Sequence, residues 1–175
     1  AKYFEIPVRE GVEVVDIDKP KDLFRIDIGD EKVLTKHIIW AAGDFQYPQL
    51  HVFPGSEHCR HIATIPSYQS LEGDDFIVIG GYESGVDASY HLAQRGKRVR
   101  LLDSDFPWQV DTSDPSVSLS TYSLERMRSD RFIEHVELLP YSAVSSVTFV
   151  DGLYQVTADD GQQFTSRTQP ILAAG

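Results

Sequence analysis

The stretch DFIVIGGYESGVDASYHLAQRGKRVRLLDSD, from Asp75 to Asp105, holds the residues whose types and spacing suit a chemical task. Gly80 and Gly81 follow a short apolar run, Ser84 and Gly85 come next, and Asp103 lies about 20 residues further on, the spacing of a dinucleotide fingerprint. The task is recognition rather than bond making. Free backbone amides and the dipole at a helix N-terminus hold a pyrophosphate. An acid at the end of the next strand accepts hydrogen bonds from ribose hydroxyls. In that scheme Gly80 makes the tight turn, Gly81 lets a ligand approach the backbone, and Gly85 allows close helix–strand packing. Tyr82 stands where the middle glycine of G-x-G-x-x-G belongs.

Those residues need a strand, a helix and a second strand to position them. Asp75 to Ile79 has the apolar run of a buried parallel strand. In the following segment Val86, Tyr90 and Ala93 recur at helical spacing, with Leu92 widening the stripe. Gly96 after Arg95 is a C-terminal stop, and RVRLL is the second strand. Beyond it a helix is predicted over Ser118 to Asp130, with IEHVELLP leading to a further strand. The segment from Asp44 to Gly73, rich in proline, glycine and aromatics, reads as a connector. At either end lie β-rich meanders: GVEVVDIDK, LFRIDIG and KVLTKHIIWAAG first, then SAVSSVTFV, LYQVTAD and QFTSRTQPILAAG. Their shared I-x-A-A-G endings, Ile39 to Gly43 and Ile171 to Gly175, suggest a duplicated unit.

Composition narrows the function. The chain has 175 residues and a formal net charge of −11, which opposes nucleic-acid phosphates. No apolar run approaches the ~20 residues of a membrane span. The single cysteine, Cys59, permits no intrachain disulfide and no C-x-x-C pair, and fits a reducing cytoplasm. His58 and His61 flank Cys59 in what reads as a solvated loop, so no metal site is expected. No catalytic acid, base or nucleophile is assigned.

With these motifs in order, the chain resembles the pyridine-nucleotide domain of FAD-dependent pyridine nucleotide-disulfide oxidoreductase-like flavoproteins, in particular the flavin-containing-monooxygenase-like and bacillithiol-disulfide-reductase-like groups. The likeness rests on the Ala41-Ala42-Gly43 ending, Tyr47-Pro48-Gln49-Leu50 with Pro54-Gly55, His61 to Pro66, the turn Gly80, Gly81, Ser84, Gly85 and Asp87, and Ala173-Ala174-Gly175. Relatives carry non-glycine residues where Tyr82 sits. Ala42 and Ala174 stand where threonine is usual, and the N-terminal FAD-binding glycine motif is missing.

The resemblance implies an α/β fold. A Rossmann-like parallel sheet with an inserted or appended antiparallel meander would span residues 44–175 and bind NAD(P)H. Residues 1–43 would be a small β-meander left from an FAD domain, making the chain a fragment, inactive alone, with FAD-domain segments missing on both sides. Cofactor contacts are expected from Gly80, Gly81, Tyr82, Glu83, Ser84, Gly85, Asp103, Ser104, Ala173 and Gly175. Because Asp103 would repel a 2′-phosphate and Ser104 brings no positive charge, NAD is favoured over NADP. Trp108 reads equally as an adenine cover or as core, Asp87 as structural, and Arg126, Arg128 and Arg131 as a polar helix face rather than phosphate ligands. Uncovered apolar strands in residues 1–43 invite pairing with another copy. Two other readings stand beside this one: a degenerate domain with a structural or interaction role, and a dehydrogenase without flavin, against which the first meander argues.

Overall fold

The computed structural model describes residues 7–43, 48–110, 112, 114 and 117–173. The chain divides into two compact units, Ala1–Gly43 and Asp44–Gly175.

In the first unit, strands β1 (Asp16–Asp18), β2 (Phe24–Asp27) and β3 (Lys32–Thr35) form an antiparallel sheet in that order. Ile26 of β2 stands opposite Ile17 on one side and Val33 on the other. The strand expected to continue to Gly43 stops at Thr35. Ile39 is 92% exposed and Trp40 70%, so the first I-x-A-A-G segment is neither strand nor core. The second such segment does supply a strand, so the two endings are not structurally equivalent.

The second unit carries the α/β fold. Its parallel sheet has the order β4–β11–β5–β6–β7, built from Arg60–His61, Ile171–Leu172, Asp75–Ile79, Arg98–Leu102 and Val136–Leu139. Helices α1 (Glu83–Gln94), α2 (Thr121–Met127) and α3 (Asp130–His135) cover one face. The antiparallel meander β8 (Val144–Val150), β9 (Leu153–Ala158) and β10 (Gln163–Ser166) covers the other. Strand periodicity sorts the core. Phe76, Val78, Val99, Leu101 and Ile171 face the helices, with Val86, Leu92 and Phe132. Ile77, Ile79, Leu102 and Leu172 face the meander, with Val147, Val156 and Phe164. A strand buried on both faces needs apolar residues at every position, which is why Asp75–Ile79 shows no alternation.

Local signals explain most boundaries. Helix α1 closes in a Schellman motif: the Gly96 amide donates to the Ala93 carbonyl at 2.8 Å and the Lys97 amide to that of Leu92 at 3.1 Å, with Gly96 at φ 72°. The single helix expected over Ser118 to Asp130 is two. Ser120 caps α2 by accepting from the Ser123 amide, and the extended backbone of Ser129 breaks the run before α3. The segment QFTSRTQPILAAG is likewise divided, β10 ending at Ser166 and β11 crossing into the parallel sheet after Pro170. The connector contains β4, which holds the sheet edge against β11. Its His61 is 3% exposed, so the stretch around Cys59 is not the solvated loop expected.

Candidate functional site

The glycine turn leaves β5 at the carboxyl edge of the parallel sheet. The Gly80 amide donates to the Leu102 carbonyl at 2.8 Å, tying the turn to the end of β6, and its φ of 101° suits glycine alone. Gly85 is forced by packing: a Cβ there would stand 1.7 Å from the Gly80 carbonyl oxygen. Tyr82 is the N-cap of α1, and the Val86 amide makes the first helical bond to its carbonyl at 2.9 Å. The amides of Glu83, Ser84 and Gly85 in the first turn lack intrahelical partners and point out of the helix end. Ala173 lies beside the turn, its amide donating to the Ile79 carbonyl at 2.8 Å. Gly175 falls outside the described residues.

Asp103 follows β6 and faces back to the turn. Its Oδ2 accepts from the Gly81 amide at 2.5 Å and its Oδ1 from the Asp105 amide at 2.8 Å. Each carboxylate oxygen has two lone pairs, so each retains one acceptor position after these bonds. A cavity of about 420 Å³ opens next to it, lined in part by Tyr82, Asp103, Ser104 and Val110. That volume lies within the ~300–1,000 Å³ range of small-molecule sites. Ser104 is exposed, its hydroxyl 3.3 Å from the Asp105 carboxylate.

Several side chains near the turn have structural partners that the sequence did not announce. Glu83 reaches across to α2: its carboxylate accepts from the Ser120 amide, the Ser123 hydroxyl and, at 3.1 Å, the Ser120 hydroxyl. Partial burial disfavours its charge, but those three donors, with Arg126 nearby, outweigh it and hold the Glu83 carboxyl below its usual value. The Tyr82 hydroxyl donates to the Ser118 carbonyl at 2.8 Å. Trp108 is packed on the glycine turn, since a Cβ at Gly81 would meet its ring carbon Cζ3 at 2.2 Å. The missing side chain of Gly81 is therefore filled by protein, where the sequence reading kept that space for a ligand. The Ser-x-x-Ser pattern at 120 and 123 was the available signal for the cap; Trp108 carried none.

The arginines are placed away from the turn's acid. Arg126 forms an ion pair with Asp87 of α1, stands over the Tyr122 ring at 4.2 Å and the Tyr90 ring at 5.0 Å, and donates to the Tyr122 hydroxyl. Asp87 is thus a link between α1 and α2. Arg131 lies 3.9 Å from Glu134 on its own helix. Cys59 is half-buried, and burial, with the nearby Glu57 charge, pushes its thiol up to about 12. A thiol so rarely ionised is a poor nucleophile. Among the described residues, no group of three or more His, Cys, Asp or Glu is placed to hold a metal ion. No described helix is long and apolar enough to cross a membrane.

The family profile described as pyridine nucleotide-disulphide oxidoreductase matches residues 1–175. The chain belongs to that family. A curated relative, the "Uncharacterized oxidoreductase CzcO" of Bacillus velezensis, is 29% identical over 103 residues, which make up 57% of this chain and 29% of that protein. Among solved structures, the bacillithiol disulfide reductase Bdr (YpdA) of Staphylococcus aureus covers 98% of this chain at a TM-score of 0.61 and 19% identity. The thioredoxin reductase of T. acidophilum covers 95% at a TM-score of 0.63 and 19% identity. At such identity the two structures establish the fold, a Rossmann-like parallel sheet with antiparallel meanders. The chain spans 50% and 53% of those two solved chains.

Proposed function

We propose that residues 44–175 are the nicotinamide-dinucleotide-binding domain of a flavin-dependent oxidoreductase, and that residues 1–43 are part of its FAD domain. The reading is carried by one observation: Asp103, at the end of β6, directs its carboxylate to the glycine turn beside a cavity of about 420 Å³. The first-turn amides of α1 would receive the pyrophosphate, with Gly80 and Ala173 shaping the adjoining backbone. The spare acceptor positions of Asp103 would take the ribose hydroxyls, and Ser104 would line the adenosine side. A 2′-phosphate there would meet both Asp103 and Asp105, so NADH is preferred to NADPH. The nicotinamide, when bound, supplies a hydride for flavin. This chain's residues bind and orient it, and none acts as acid, base or nucleophile.

Family membership and the part coverage of the relatives support a larger flavoprotein, in which FAD-domain segments outside this sequence complete the enzyme. The chain alone is then inactive. Its single cysteine is consistent with a cytoplasmic setting. The exposed Ile39 and Trp40 suit contact with those segments or with a second copy.

A second reading, a domain that keeps the fold but has lost its nucleotide, is favoured by the way Trp108, Glu83 and Ser118 already occupy the turn. Hydrogen exchange separates the two. With NADH added, protection should rise over residues 80–86 and 103–108. Unchanged exchange there at millimolar NADH and NADPH would favour the structural role.

A further inference from the structure

The segment after β6 is anchored at both ends and crosses the site between them. At its start the Ser142 amide donates to the Asp103 carbonyl at 2.7 Å, and the Tyr141 amide to that of Asp105 at 3.2 Å. At its end the Tyr82 hydroxyl holds the Ser118 carbonyl and the Glu83 carboxylate holds Ser120. Between the anchors, Trp108 is set into the notch of Gly81. The point a Cβ would take is 2.2 Å from Trp108 Cζ3 and 2.9 Å from Asp103 Cβ, so one small space is shared by the turn, the indole and the acid.

That position has a cost. The Trp108 Nε1 is buried and has no hydrogen-bond acceptor. An unmade bond of this kind disfavours the state that contains it. The only ring packed on the indole is Phe106, edge-on at 5.7 Å, and Phe106 in turn meets Tyr141 at 5.8 Å. Trp108 therefore fills the gap between Gly81 and Asp103 while leaving its own polar atom unsatisfied.

We propose that Trp108 is a gate on the adenosine half of the nucleotide site. It is seated against Gly81 and Asp103 when the site is empty, and it leaves when a ribose takes its place at the Asp103 carboxylate. Leaving returns the indole N–H to an acceptor, from water or from the ligand, which offsets part of the packing lost. This inference rests on the nucleotide reading above and goes beyond it, because an adenine-stacking or fixed-wall tryptophan would keep its place on binding.

The test uses the whole chain with Trp40→Phe, which leaves Trp108 as the only tryptophan. Oxidised NAD is titrated while indole emission and acrylamide quenching are followed, with calorimetry reporting binding in parallel. The expected result is a red shift and several-fold greater quenching that saturate with the heat of binding. Trp108→Ala should bind about 3–10-fold more tightly, as when a closed fraction of the population is removed. Binding with stationary emission, or weaker binding by Trp108→Ala, overturns the gate alone. The emission measurement stands even where the alanine variant does not fold. An absence of binding in both the parent and Trp108→Ala removes the nucleotide reading, and the gate with it.

Discussion

At the scale of single residues, Asp103 does two jobs that pull on the same carboxylate. It clamps the Gly81 and Asp105 amides, and it is the proposed ribose acceptor. Asp103→Asn keeps an oxygen for the Gly81 amide but removes the negative charge. The ratio of NADPH to NADH affinity should then rise about tenfold, on the order of the ~1.4 kcal/mol that a lost like-charge contact in a partly desolvated site represents. Competitive titration of the two nucleotides checks this, and an unchanged ratio would place the 2′ position elsewhere. Asp103 was legible in the sequence because its meaning is local: an acid just after the strand that follows a glycine turn and helix. Trp108 was not, since its partner Gly81 is distant in sequence and a lone aromatic in a loop has no period. Glu83 was placed near the helix start, but its attachment to Ser120 and Ser123 depends on how two helices pack, which spacing along one of them does not encode.

At the scale of elements, the turn and the helix pair are where small changes have large effects. Gly85→Ala would drive a methyl to 1.7 Å from the Gly80 carbonyl, backbone against backbone. A loss of about 2–3 kcal/mol is expected, the upper range for overpacking, seen as a lowered urea midpoint with unchanged slope. Ser120→Ala removes both the α2 cap and a donor to Glu83, and should cost about 1 kcal/mol in the same assay. The Glu83 link has a pH signature. Its carboxyl is held below the unfolded value, so the charge adds stability above that value and the contribution fades as pH falls through the folded one. The stability gap between the parent and Glu83→Gln should be full at pH 7 and close below about pH 4 in thermal melts. Long, strongly patterned elements such as α1 were readable for the same reason that they are stable. Two-residue strands were not. β4 and β11 exist through pairing with each other and with β5, and neither carries a periodicity of its own. The helix expected over Ser118 to Asp130 failed at Ser129, where a capping residue inside an apolar pattern started a second helix instead.

For the whole molecule, the sequence revealed the architecture of residues 44–175 because one layer's pattern implies the next. A strand apolar at every position requires cover on both faces, and the helices and the meander supply it. The first unit was less legible beyond its antiparallel strands. Ile39 and Trp40 look like core residues in sequence and stand exposed in the structure, so their pattern answers to contacts this chain does not itself make. The central claim concerns the second unit, that its glycine turn and Asp103 together bind a nicotinamide dinucleotide. Calorimetric titration of the chain with NADH and NADPH, beside Asp103→Ala, tests it most directly. The account expects saturable one-site binding of NADH, weaker binding of NADPH, and NADH affinity reduced about tenfold or more in Asp103→Ala. Tighter binding of NADPH, or NADH affinity untouched by Asp103→Ala, would contradict it.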